Sequence, residues 1–506
     1  TRAFCFYMEK IIMKTKMIVI GAIIWTFFYA LLYGQIRSDF VLAEDATQPR
    51  IAIDKTGNLH ATWLDRTDNL AYGMFDSLGN QKNGPRQFGG GFFTFNPKIA
   101  LGEEYGVILY DAAHPSAEIG FGGILFTIAG EEIPGLVDVL DDLGGNTFHP
   151  DITFLTDTTF FVVWSDNFKE IFGQTVTTHL RFIGPSQILS HQSSQNLKRF
   201  SPRVATQTTS DRLVTVWREE NSSTSDKIFG RVILKNGIPQ DSTFLISDTP
   251  DTFKAFFPTP TMTLKGEFMV VWSDRKLDNT ANIYLRCFRS DGTPMGQSQK
   301  INTMPAMGAA EVDIAMDLNG RFIVVWESLE KNRNSKIFGQ RFAKDGMLIG
   351  NNFKIAVKTD SLPQFWPNVV LYNRKIYTAW TTREGVSTFK IWLNILDFDN
   401  PIVRVEDQSV ALPAKFQLFQ NYPNPFNPTT TISYSVIHPA HIQLAIFNTM
   451  GEEVITLINK KVMPGTYQIV WDGRDANGKE MVSGVYFYQL RSDNNIKQTQ
   501  KMVFVR

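Results

Sequence analysis

Cysteine is nearly absent from this 506-residue chain, which holds only Cys5 and Cys287. Cys5 lies in an amino-terminal stretch expected to be removed, and Cys287 is then alone. One thiol forms no intrachain disulfide and no thiolate metal site, so packing and hydrogen bonds must hold the fold. A surplus of charge is absent too, because 50 Lys and Arg balance 50 Asp and Glu. Nucleic-acid binders carry a basic excess to displace phosphate counterions, so no nucleic-acid partner is expected. Missing as well are His-Glu-x-x-His, Gly-x-Ser-x-Gly, a phosphate-cradling Gly-Lys-Ser/Thr loop and an Asp-x-Asp-x-Asp-Gly calcium loop. The reading therefore expects no metal and no cofactor, and it leaves enzymatic identity open.

Apolar runs long enough for a membrane are scarce. Lys10, Lys14 and Lys16 precede one run from Met17 to Leu32. A positive region followed by a short apolar one is the pattern of a secretory signal, expected over 1–34 with a cut near Gly34–Gln35. The alternative is a single membrane anchor. No other stretch reads as a transmembrane span, so none is expected after the signal is removed.

Aromatics are plentiful, with 40 Phe and 10 Trp, and they favour half-buried pleated surfaces. From Asp39 to about Asn400 they recur in register. Trp63, Tyr110, Trp164, Trp217, Trp272, Trp326 and Trp380 follow one another at intervals of 47 to 55 residues. Pro49, Pro97, Pro150, Pro202, Pro258 and Pro367 precede six of these aromatics by 13 to 15 residues, and Val312 stands at the matching place in the sixth repeat. Three residues further on come Ala52, Ala100, Thr153, Ala205, Thr261, Ala315 and Val370. Side chains this small suit strands that converge on a common axis. Third strands read IFGQTV from Ile171 and IFGQRF from Ile337. Asn-Gly and Asp-Gly turns at 236, 291 and 345 suit tight hairpins.

Four strands per repeat, arranged radially, predict a seven-bladed β-propeller over 35–400. A six-bladed ring with one insert is the alternative, since the second repeat has Tyr110 for Trp and looks irregular at Gly120–Gly123 and Leu136–Leu143. The segment SDFVLAED is similar to a fourth strand yet precedes the first repeat, so Phe40–Ala43 is expected to close the last blade and hide its edge. The repeats resemble, generically, tryptophan-containing propeller repeats of secreted bacterial proteins.

Residues 401–415 read as a linker. Beyond them, alternating runs separated by Gly turns predict six or seven short strands in a small β-sandwich over 416–506. Asn421-Tyr422-Pro423-Asn424-Pro425-Phe426-Asn427-Pro428, with Gly465-Thr466-Tyr467, Trp471-Asp472-Gly473 and Ser483-Gly484-Val485-Tyr486, resembles type IX secretion sorting domains. The related immunoglobulin-like flagellar hook-capping domains share part of this pattern. That resemblance implies the type IX secretion machinery as a partner. It also implies an extracellular or outer-membrane surface location in a Gram-negative, Bacteroidetes-like bacterium. Asp472 and Asp475 supply too few ligands for calcium and read as turn formers.

The residues following the repeat aromatics carry charge: Asp65, Asp111, Asp166, Glu219, Asp274 and Glu327, with Arg66, Arg275 and Arg383 three residues after their Trp. Antiparallel strands gather them on one face as candidate ligand-binding residues, although Asp in a recurring turn more often bonds nearby backbone donors. The three arginines resemble, faintly, the carboxylate clamp of sialidases, but the Ser-x-Asp-x-Gly-x-Thr-Trp box of that family is absent. His114, His149 and His191 fall in loops assigned to the same face. Two functions follow: a surface module binding a glycan or protein, or a secreted polysaccharide hydrolase or lyase acting at the propeller mouth.

Overall fold

The computed structural model describes residues 35–505 apart from 89–92, 114–118, 134–145, 180, 192–196, 208, 221–225, 241, 250–253, 277, 304–305, 308–309, 330–333, 357–358, 386, 400–415, 422–423, 437–439, 463–464 and 494–496. The expected signal over 1–34, the linker over 401–415, His114 and Leu136–Leu143 lie outside the described residues. Every described element is a strand, and the chain divides near residue 404 into two compact units.

The first unit holds seven antiparallel sheets among the described residues. Their first strands are Ala46–Ile53, Phe93–Leu101, Thr147–Thr156, Lys198–Thr206, Lys254–Met262, Val312–Met316 and Gln364–Tyr372. Each touches the next, and the last touches the first, so these strands form a closed cycle around an axis. The strands bearing the repeat aromatic come second. Phe160 through Ser165 are all buried, because both faces of each sheet are covered by neighbouring sheets. Trp217, Trp272, Trp326 and Trp380 are almost wholly enclosed. An aromatic on the third strand commonly faces them, as Phe172 faces Trp164 and Tyr284 faces Trp272, with ring centroids 5.8 Å apart.

The second sheet has three strands among the described residues. Gly120–Gly123 was expected to be irregular, and the structure corrects this. It lies within the strand Ile119–Thr127, which pairs residue for residue with Tyr105–Ala113. Gly122 sits opposite Tyr110, and a Cβ at Gly122 would meet the Tyr110 ring at 2.6 Å. The glycine makes room for the tyrosine.

The seventh sheet is assembled from both ends of the unit. Gln35–Glu44 pairs antiparallel with Phe389–Asp397, placing Phe40 opposite Leu393 and Val41 opposite Trp392. Hydrogen bonds between distant parts of the chain therefore close the ring and cover an edge that would otherwise pair with another molecule. Phe40 also carries the Arg37 guanidinium 3.6 Å above its ring and packs on Gly79, where a Cβ would collide with it.

The first strands share one irregularity. The register shifts at the proline in six sheets, as between Thr47 and Arg50 or between Phe95 and Lys98. Proline offers no N–H to the ladder, so pairing breaks there. The residue before it takes a left-handed conformation: Gln48, Asn96, His149, Ser201, Phe257 and Trp366 have φ between 50 and 55°. This conformation disfavours side chains with a Cβ by ~1–2 kcal/mol each, and the surrounding sheets hold it in place.

The second unit is a pair of packed sheets. One comprises Gln417–Leu418, Thr430–Val436 and Gly465–Trp471, and the other Glu453–Val462, Ala440–Phe447, Gly484–Ser492 and Lys497–Phe504. Phe426 is buried between them, stacked on Phe504 at 4.9 Å and tilted against Trp471 at 5.6 Å. Its backbone exchanges bonds with the last strand, Phe426 N to Val503 O and Val505 N to Phe426 O, both 3.0 Å. Asn424 Oδ1 accepts from Val503 N at 2.8 Å, and Asn421 Nδ2 donates to Thr430 Oγ1 at 2.8 Å. The Asn/Pro-rich motif thus fastens the carboxy-terminal strand. Asp475 Oδ1 accepts from Asn477 N and Lys479 N at 2.9 Å, and Asp472 Oδ1 from Arg474 N at 3.2 Å, the bonding of turn residues.

Candidate functional site

The bulge at each proline turns the following residue toward the axis. Those residues are Arg50, Lys98, Asp151, Arg203, Thr259 and Asn368; Asp313, after Val312 in the unbulged sixth sheet, joins them, and all seven are polar. They form a ring across the channel. Arg50, Lys98, Arg203, Asp313 and Asn368 line both of two small chambers, of about 120 Å³ and about 170 Å³. Asn96, His149, Ser201, Phe257 and Glu311, the residues preceding the bulged position, border the first chamber.

Acceptors in this ring tie neighbouring sheets together. Asp151 Oδ2 accepts from Val204 N at 2.9 Å, Asp313 Oδ2 from Val369 N at 2.9 Å, and Asn368 Oδ1 from Ile51 N at 2.6 Å. In each case the side chain of one sheet reaches the strand of the next. Asn368 Nδ2 also donates to Asp313 Oδ2 at 2.6 Å. Arg50, Lys98 and Arg203 have no acceptor atom and cannot make this link. Burial lowers the proton affinity of the Lys98 ammonium well below the ordinary lysine range, and the positive charges of Arg203 and Arg50 lower it further. His149 is pushed down to about 4 by burial and then by Lys98 and Arg203.

The carboxylates singled out in the sequence lie elsewhere, and none borders either axial chamber. Asp65 Oδ1 accepts from Thr67 N, Thr67 Oγ1 and Asn69 N within 3.0 Å, bonding that closes its own turn. It also borders a crevice with Trp63, Pro85 and Gln87. Asp166 accepts from Asn167 Nδ2 at 2.9 Å. Glu219 is buried against Arg199 Nε at 3.0 Å, with His191 Nε2 at 3.7 Å. Asp111 and Glu327 brace the left-handed residue of the following sheet: Asp111 Oδ1 accepts from His149 N at 2.9 Å, and Glu327 Oε1 from Trp366 N at 2.6 Å. Burial raises Asp111 to about 7, and burial together with Glu311 raises Glu327 to about 8.

Asp274 differs from these. It is fully enclosed, and neither carboxylate oxygen makes a hydrogen bond of ordinary geometry among the described residues. Burial raises it to about 6. Arg66 is exposed. Arg275 lies over the Phe256 ring at 4.8 Å, and Arg383 donates from Nε to Gly385 O at 2.9 Å. Arg275 and Arg383 thus serve different local contacts. His149 sits in a strand rather than a loop and borders the axial chamber, whereas His191 meets Glu219 and Phe229.

Sequence reasoning passed over the axial ring. Its signal was present: one polar residue directly after the proline, or after Val312 in the sixth repeat, in the strand assigned to the axis.

Comparison with known proteins bears on both units. No curated protein matches the sequence. Among solved structures, an ulvan lyase of a polysaccharide lyase family aligns at 8% identity and a TM-score of 0.51, over 74% of this chain and 97% of that one. PorZ, a surface component of the type IX secretion system of Porphyromonas gingivalis, aligns at 12% identity and 0.40, over 91% of this chain and 60% of that one. A protein of unknown function from Dyadobacter fermentans aligns at 12% and 0.43, over 71% and 98%. At 8% identity the likeness to the ulvan lyase shows the fold alone, an all-β propeller-like architecture. Residues 423–505 match the model of the CHU_C type IX secretion signal domain, the segment in which Phe426, Trp471 and Phe504 pack together. The chain thus carries at its carboxy terminus a type IX secretion signal domain, which directs it to the cell surface or extracellular space of a Bacteroidetes-type bacterium.

Proposed function

We propose that this is an exported, non-catalytic propeller that binds a glycan at the axial mouth of its first unit, with residues 416–506 serving as the sorting domain. One observation carries the reading: the recurring carboxylates that would have armed an enzyme are engaged by the scaffold, in their own turns at Asp65 or on the next sheet at Asp111 and Glu327. The mouth that remains is concave, polar and small, bordered by Asn96, His149, Ser201 and Phe257. A mouth this small suits one polar substituent of a saccharide, whereas a protein partner needs roughly 800 Å² of matching surface. A glycan array probed with the purified chain tests this, followed by a product-release assay on every glycan retained. Retention without turnover is expected. An empty array together with capture of a protein ligand would overturn the glycan reading.

The second reading is a polysaccharide hydrolase or lyase, and Asp274 favours it. A buried carboxyl pushed up to about 6 has the properties of a general acid or base. Product release that disappears in Asp274→Asn would replace the binding reading with this one.

A further inference from the structure

The axial ring holds more donors than acceptors. Arg203 Nη1 lies 3.6 Å from Asp151 Oδ1, too long for a hydrogen bond of ordinary strength. Arg50 carries five N–H groups, and among the described residues its one hydrogen bond is to the carbonyl oxygen of Pro49 at 3.0 Å. Lys98 is 7% exposed, and its Nζ makes no hydrogen bond or ion pair among the described residues. His149 Nδ1 is buried without a partner. All four side chains border the chamber of about 120 Å³.

Three carboxylates, Asp151, Asp313 and Glu311, stand near the three cations, but none accepts a hydrogen bond from Lys98 or Arg50 among the described residues. Asp151 and Asp313 are committed to backbone N–H groups of the next sheet. Glu311 borders the same chamber, and desolvation pushes its carboxyl toward the neutral form. Arg203 and Arg50 disfavour the charged form of Lys98, while Asp151 and Glu311 favour it. Arg50 in turn feels Arg203 most. Arg203 thus has a carboxylate within 3.6 Å, whereas buried Lys98 has none in hydrogen-bond or ion-pair contact among the described residues. Buried charges without partners are strongly unfavourable, and a group that pairs with them restores the balance.

We propose that the first axial chamber is an oxyanion site, in which Lys98, Arg50, Arg203 and His149 hold a sulfate or carboxylate group. The chamber has room for roughly four waters at ~30 Å³ each, enough for one small oxyanion. Arginine forks match two oxygens of such a group, and the lysine supplies a point charge. This deepens the glycan reading by naming an acidic sugar as the ligand, yet the site itself is testable with an inorganic ion alone.

The experiment measures thermal unfolding of the full chain in 10 mM sodium sulfate, sodium glucuronate or glucose, beside Lys98→Met. With a Kd of ~1 mM, sulfate shifts the unfolding equilibrium of the wild-type first unit about elevenfold. The shift is expected to vanish in Lys98→Met. That variant is expected to equal or exceed the wild type without added anion, because it removes an unpartnered buried charge. Equilibrium dialysis of labelled sulfate against wild type and Arg50→Gln gives occupancy directly should Lys98→Met fail to fold. Equal shifts in wild type and variant, or no retained sulfate, would overturn the site. A sulfate response without a glucuronate response leaves the oxyanion site standing and assigns it to a free inorganic ion, whereas an empty glycan array bears only on the glycan reading.

Discussion

The Asp111 carboxyl gives the sharpest check on the electrostatics of the ring. It is completely enclosed, accepts from Asn96 Nδ2 at 2.8 Å and from His149 N at 2.9 Å, and is raised by burial to about 7 from an ordinary 3.8. Below pH 4 both the folded and the unfolded chain carry this proton, and the group does not affect stability. As pH rises, the unfolded chain loses its proton first, so the folded state weakens progressively until about pH 7 and stays weakened above it. Between pH 5 and pH 8 the loss comes to about 2–3 kcal/mol at 1.36 kcal/mol per unit. Asp111→Asn abolishes that slope. Its carbonyl oxygen still accepts from His149 N, and Asn96 meets the new amide by turning its own side chain over. Urea unfolding followed by tryptophan fluorescence, at pH 5 and pH 8, measures the difference. The variant is expected to lose less stability than the wild type across this interval, by that amount. Equal losses in the two proteins would refute the argument, and with it the claim that this carboxylate is desolvated.

Other outcomes follow from packing. Trp272→Ala empties a fully enclosed site and is expected to cost ~3–5 kcal/mol, read as a lower urea midpoint for the first unit. Gly79→Ala drives a methyl group into Phe40 at a left-handed position (φ 76°), and scanning calorimetry is expected to show a loss of ~1–3 kcal/mol in the first unit. Phe426→Ala removes the ring that joins Trp471 and Phe504, so calorimetry is expected to show the second unit melting earlier with the first unchanged. A chain ending at residue 415 is expected to stay inside the outer membrane, which surface protease digestion of intact cells would reveal.

The aromatic spacing made the architecture legible. A tryptophan that must be buried between two sheets repeats once per sheet, and the residues around it repeat with it. The prolines were equally visible, but their effect was not. The spacing of Pro49 or Pro97 does not show that the missing N–H breaks the ladder, twists the preceding residue and aims the following one at the axis. Attention went to the charged residues after each tryptophan because they recur. Recurrence marked them as parts of the scaffold, as Asp111 and Glu327 show by holding the next sheet. The irregularity assigned to Gly120–Gly123 failed for a related reason: glycine there answers the bulk of Tyr110 across the pair, a contact that a single strand's pattern does not reveal.

The kink before each proline separates shape from chemistry at the mouth. Six unlike residues (glutamine, asparagine, histidine, serine, phenylalanine and tryptophan) adopt the same backbone twist there, so the bend itself does not dictate which side chain it presents. Exchanging one of them alters what a visiting molecule meets and leaves the strand pairing on either side intact. A toroid built this way can change its appetite one spoke at a time.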